Sequence, residues 1–240
     1  DADAELEGIR QALQQLGEKT RVDVLDPVTR DDLLASLRQG YHVLHFIGHG
    51  VFQGGEGYLI LENAQGHADL LSASLLGRMV ADSSLRLVVL NACDTSEAGP
   101  EMAFSGLAQE LVKAGMPAVV AMQFAIDDRT AVAFSREFYG ALAIGRPVDA
   151  AVQEGRRGII TAQGDDWRKC IDWAVPTLYM RAPDGVILCT AAMPERRLAE
   201  SQEFSLPGHH ITQFHAPLYG PTHTGSGDIQ IDQLDYGVPG

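Results

Sequence analysis

A histidine and a cysteine, each closing an apolar run, are the residues of this chain best suited to chemistry. His49 follows Tyr41-His42-Val43-Leu44-His45-Phe46-Ile47-Gly48, and Cys93 follows Leu85-Arg86-Leu87-Val88-Val89-Leu90-Asn91-Ala92. Both runs read as buried strands, ended by Gly48-His49-Gly50 and by Cys93-Asp94-Thr95. If the two are neighbouring parallel strands, their carboxyl ends lie side by side at the edge where open α/β sheets place their sites. A thiol and an imidazole then face each other. That pair can perform covalent catalysis, with the thiolate as nucleophile and the imidazole first as base and then as acid. Free cysteine titrates near pH ~8.5, so a neighbouring imidazolium matters to the thiolate population.

The elements that must position this pair alternate between helix and strand. Leu6, Ile9, Leu13 and Leu16 fit one helix face, Val22, Val24 and Leu25 suit a short strand, and Thr29 can cap a helix carrying Leu33, Leu34 and Leu37. After the histidine strand at 41–47 comes Tyr58-Leu59-Ile60-Leu61 as a further strand, with Asn63 to Asp69 as its turn. Leu75, Leu76, Met79 and Val80 mark a helix before the cysteine strand. Next come a helix over 104–115, a strand over 117–122, and helices over 128–143 and 148–160. A strand pair, Pro176 to Met180 and Val186 to Cys189, closes the folded part across Pro183-Asp184-Gly185. Such alternation predicts an α/β fold with a mostly parallel sheet and helices on both faces.

Gly48-His49-Gly50 and Asn91-Ala92-Cys93-Asp94-Thr95, with histidine and cysteine 44 positions apart (93 − 49), resemble the CHAT domain, the bacterial branch of the caspase and separase cysteine proteases. The stretch Ala118 to Asp128, then Phe138-Tyr139 and Gly145 to Ala151, is similar to that family's later segments, and the resemblance runs from about Ala4 to Leu188. The caspase signature also has its histidine about 50 residues upstream of the cysteine.

The resemblance implies a caspase-like cysteine endopeptidase. Cys93 is then the nucleophile and His49 its base, and by analogy with caspases the backbone N–H groups of Gly50 and Cys93 form the oxyanion hole. No residue in the sequence identifies a third catalytic member, and the resemblance does not demand one. Asn91 stands two residues before Cys93, so strand alternation puts both side chains on one side. The caspase pattern has a pocket-lining glutamine there, which assigns Asn91 to the substrate pocket. Asp127 and Asp128 match an acidic position that selects arginine in separase-like relatives, with Asp128 the better aligned, so cleavage after a basic residue is expected. The competing use of Asp127 is to cap the helix that follows it. The family is usually fused to, or controlled by, sensor modules in bacterial defence and signalling systems, which implies a protein substrate and a regulatory domain or partner.

Composition narrows the alternatives. A chain of 240 residues, 45% hydrophobic and 21% charged, can bury a substantial core. Its net charge of −14 argues against a nucleic-acid groove or an anionic membrane surface. No apolar run is long enough for a membrane span, the N-terminus is unlike a signal peptide, and the three cysteines show no disulfide spacing, which together read as a cytoplasmic protein. No cofactor is expected. Two other classes compete with a peptidase. One is a catalytically silent docking or regulatory module, which has no reason to retain both His49 and Cys93. The other is a nucleotide-binding α/β domain, which would call for a G-x-G-x-x-G or G-K-[ST] element that the sequence lacks.

Gly54-Gly55-Glu56-Gly57 reads as a mobile loop near the site. A metal site at His42, His45 and His49 is excluded by strand geometry, because His42 points away from the other two, which stand roughly 13 Å apart at about 3.3 Å per residue. Histidines 209, 210, 215 and 223 lack the cysteine or carboxylate pattern of a metal site, and Cys170 and Cys189 are expected to pack or sit idle. The predicted domain spans 1–191, without the strand that family members usually have before their first helix. Beyond it, 192–240 is rich in Gly, Pro and His and reads as an extended linker or docking tail, in which Asp228-Ile229-Gln230-Ile231-Asp232 could borrow a sheet edge.

Overall fold

The computed structural model describes residues 2–14, 16, 20–92 and 103–188. Cys93, Cys189 and the tail from Ala192 to Gly240 lie outside the described residues.

Three apolar, β-branched runs form the centre of the fold. Strands β1 (Val43–Gly48), β5 (Leu87–Ala92) and β6 (Ala118–Met122) are parallel neighbours, and β7 (Pro176–Met180) joins antiparallel to β6, giving the order β1-β5-β6-β7. Every residue of β6 is buried, as expected for a strand covered on both faces. Helices α1 (Ala2–Leu13), α5 (Asp128–Ala143) and α6 (Val148–Gln163) share one core cluster with Leu87, Val89, Ala118 and Val120. Helices α2 (Arg30–Leu37), α3 (Ala73–Val80) and α4 (Ala103–Lys113) share the other with Val88, Leu90, Val119 and Ala121. The expected α/β class, a mostly parallel sheet with helices on both faces, is therefore the observed one.

A second sheet, absent from the sequence reading, is inserted between β1 and α3. Strands β2 (Gly50–Gln53), β3 (Glu56–Glu62) and β4 (Ala68–Ser72) form an antiparallel meander in the order β2-β3-β4. Only β3 was legible in advance. The glycines read as a mobile loop instead make the β2–β3 hairpin turn. Gly54 (φ 62°) and Gly55 (φ 86°) both take positive φ, as a two-residue type I′ turn requires, and Gln53 pairs with Glu56. At the next corner the Asn63 side chain accepts from the N–H groups of Gln65 and His67 and turns the chain into β4.

Two expected strands are not formed. Residues 21–25 run without strand pairing, with Val24 and Leu25 exposed, and are tethered to Tyr41 through Arg21, stacked 5.3 Å from its ring, and Asp23, which accepts from its hydroxyl. A three-residue alternation needs a neighbouring strand to pair with, and among the described residues none lies beside the outer edge of β1. Residues 186–188 are likewise not a strand; Ile187 packs into the α1–α5–α6 core, and the turn is closed by Asp184 accepting from the Val186 N–H. The caps fare better, since Thr29 accepts from the Asp32 N–H at the start of α2, as its type and place predict.

Candidate active site

The strand register decides what meets at the carboxyl edge of the main sheet. Strands β1 and β5 pair in parallel from Val43↔Leu87 to Gly48↔Ala92. His49 and Cys93 are the residues that follow this last pair in sequence. Adjacent strands lie about 4.8 Å apart, so two chains leaving such a pair begin as close neighbours.

His49 is exposed and occupies the single-residue break between β1 and β2, where the chain passes from the parallel sheet to the meander. It is held there by its backbone, because its carbonyl accepts from the Ile60 N–H at 3.0 Å. That bond also orients the next residue. In an antiparallel ladder bonded and non-bonded pairs alternate, so bonding between 49 and 60 makes Gly50 opposite Leu59 a non-bonded pair. The Gly50 N–H is thereby directed away from β3. Upstream, a Cβ on Gly48 would come within 2.8 Å of the Phe46 ring, which packs against Phe104 in the second core.

Directly behind this edge, on the α1–α5 side of the sheet, lies a buried polar network that the sequence reading missed. Glu5 of α1 is 2% exposed. Its Oε2 accepts from Asn91 Nδ2 of β5 at 2.6 Å, and its Oε1 accepts from Ser135 Oγ of α5 at 2.6 Å. His45 of β1 brings Nε2 to 3.2 Å from the same Oε1, off the line of a hydrogen bond, and its Nδ1 lies 2.7 Å from the Tyr139 hydroxyl. Burial alone would raise the Glu5 pKa. The His45 imidazole and the Ser135 and Asn91 donors outweigh it and hold the carboxyl below its ordinary value. Burial, and then the Glu5 charge, push the Tyr139 phenol well above its usual range. Four elements are thus tied together just under the strand ends.

The family model for the CHAT domain matches residues 1–181. The chain belongs to the CHAT family. Comparison with curated proteins returns no match. CHAT is a caspase-like peptidase family.

Within this CHAT domain the other expected site residues are distributed as follows. Asn91 is 2% exposed, on the same side of β5 as Leu87 and Val89, with its amide nitrogen committed to Glu5 and its Oδ1 without a hydrogen-bond partner among the described residues. Asp127 and Asp128 are exposed and follow β6, the strand beside β5, on the same carboxyl edge. Asp127 caps α5, accepting from the Thr130 N–H at 2.6 Å, which is the use weighed against pocket duty. Cys93, the expected nucleophile, is outside the described residues. Among the described residues no group of three or more His, Cys, Asp or Glu could hold a metal, and no helix is long and apolar enough to cross a membrane. Cys170 is half-buried, its thiol directed at the Asp166 and Trp167 carbonyls. A cleft of about 450 Å³ opens elsewhere, between the β2–β3 hairpin and α4, lined by Phe52, Glu56, Ser105 and Gly106 among others, and none of the candidate site residues borders it.

One signal for the network was present in the sequence. Glu5 stands four residues before Ile9, on the stripe that buries Gly8 and Ile9, so the helix period places a carboxylate among core positions.

Proposed function

We propose that this CHAT domain is a cysteine endopeptidase that cleaves a protein substrate after a basic residue through a Cys93–His49 dyad. The register ending at Gly48↔Ala92 carries the reading, because it makes His49 and Cys93 the residues that leave two adjacent parallel strands together. The Cys93 thiolate attacks the scissile carbonyl carbon, and the carbonyl electron pair moves to oxygen, where the N–H groups of Gly50 and Cys93 receive it. The orientation of the Gly50 N–H away from β3 supports that use; losing one such donor typically costs about 100- to 1000-fold in rate. As the C–N bond breaks, His49 gives its proton to the leaving amine and a thioester remains. Water, deprotonated by His49, then attacks the thioester and releases the thiolate.

Asn91 lines the pocket for the residue before the cut. Asp128 adds negative charge at its rim, and Asp127 divides its carboxylate between rim and helix cap. A guanidinium can take two such acceptors at once, which favours arginine. The family resemblance supports a role in a regulated bacterial defence or signalling system in the cytoplasm, under a sensor or regulatory partner and with low resting activity.

The test is labelling by an activity-based thiol probe and cleavage of a peptide library, with wild type beside Cys93→Ala and His49→Ala. Both substitutions abolish cleavage with little change in thermal midpoint, since neither creates a large core cavity. Cleavage retained in either purified variant removes the mechanism.

A further inference from the structure

Asn91 carries a donor and an acceptor on one amide, and only one end can be turned toward a substrate. Glu5 selects which. An ionised carboxylate is acceptor-only, so the amide end lying 2.6 Å from Glu5 Oε2 must be Nδ2. The end left over is Oδ1, buried and without a hydrogen-bond partner among the described residues. Ser135 donates to the other carboxylate oxygen at 2.6 Å and does not touch the amide. Buried acceptors are costly to leave unpaired, and a ligand that brings a donor relieves that cost.

We propose that Glu5 is a positioning residue for specificity: by holding Asn91 Nδ2 it makes Asn91 offer an acceptor to the substrate pocket, which therefore prefers a donor-rich cationic side chain, arginine or lysine, before the scissile bond. The inference rests on the peptidase reading above. It assigns the preference to a carboxylate that never touches the substrate, acting through the orientation of an amide. The negative charge of Glu5 behind that amide adds to the attraction for a cation. The order of preference is arginine, then citrulline, which donates without charge, then norleucine, which does neither.

The experiment uses the full chain and three peptidyl acyloxymethyl ketones identical except for arginine, citrulline or norleucine at the residue before the warhead. Labelling rates are read by intact mass, and iodoacetamide reports whether the thiol is accessible at all. In wild type the arginine probe reacts fastest and Cys93→Ala is unlabelled. Glu5→Gln can present either a donor or an acceptor to Asn91, so the lock on its amide is lost and the arginine-to-norleucine ratio falls roughly 10-fold. Ser135→Ala loosens the same network while leaving the Asn91–Glu5 bond in place, and keeps the ratio within about 2-fold of wild type. An unchanged ratio in Glu5→Gln, or an equal fall in Ser135→Ala, overturns the proposal while the peptidase reading stands. A wild-type thiol that iodoacetamide alkylates but no peptide probe labels overturns the peptidase reading and this inference with it. If Glu5→Gln does not fold, Asn91→Ala decides the matter. It removes the amide oxygen and leaves no acceptor in its place, and a retained preference for citrulline over norleucine there overturns the proposal.

Discussion

On one face of the main sheet Val88, Leu90, Val119 and Ala121 pack against α3, α4 and β3 in a cluster of apolar side chains. On the other face Asn91 and His45 of the sheet meet Glu5, Ser135 and Tyr139 of the covering helices. The buried polar residues among those described, Glu5, Asn91, Thr130 and Ser135, all belong to this α1–α5 side. Both faces belong to the same strands, so the contrast lies in which alternate positions carry polar side chains and in the helices that cover them. A hydrophobic face stabilises through area and packing and tolerates imprecision in angle. A hydrogen-bonded face stabilises less per group but fixes orientation, and it fixes it immediately behind the edge from which His49 emerges.

Removing the centre of the polar face should have the largest effect. Glu5→Ala leaves Asn91 and Ser135 donors buried without their acceptor and should cost about 3–5 kcal/mol in chemical denaturation. Leu107→Ala on the apolar face should cost about 2–5 kcal/mol through lost transfer energy and a cavity. A Glu5→Ala effect well under that of Leu107→Ala would mean that the polar face contributes little to stability.

The two faces should also part in their pH dependence. The folded-state pKa of Glu5 lies below its ordinary value of 4.5, so its contribution is fully present above that pH and is lost as pH falls through the lower folded value. The stability gap between wild type and Glu5→Gln should therefore narrow below pH 4.5, whereas the gap to Leu107→Ala should stay level. Parallel gaps across that range would mean that the charge of Glu5 is not what the network holds.

Smaller effects sharpen the map. Ser135→Ala removes one donor to a charged acceptor and should cost about 1.5–3 kcal/mol. Asp127→Ala, at the other use of a carboxylate near the edge, should cost about 1 kcal/mol as a lost helix cap, measured by thermal unfolding. If Asp127→Ala instead leaves stability unchanged and weakens cleavage after arginine, its carboxylate serves the pocket and not the helix.

The sequence alone determined a good deal of this protein. Continuous apolar runs ending in His49 and in Asn91-Ala92 were long enough to read as buried strands, and the helices of 128–143 and 148–160 follow from an unmistakable 3.6-residue period. The order of those elements led to the α/β class, and the motifs Gly48-His49-Gly50 and Asn91 to Thr95 led to the CHAT family. Short elements were less legible, because β2 and β4 are only four and five residues long and their identity depends on the strand they pair with. The same dependence runs the other way at Val22, Val24 and Leu25, which alternate like a strand and have no neighbour to pair with among the described residues. Tertiary structure alone decided the register that makes Gly48 and Ala92 partners, the direction of the Gly50 N–H, and the fate of Glu5. The helix period puts Glu5 on the stripe that packs inward, but nothing near it in the chain names its partners. It is buried here because Asn91 and Ser135 supply donors that replace its hydration, with the His45 imidazole 3.2 Å away, and no local pattern in the chain encodes where these side chains from distant segments will converge.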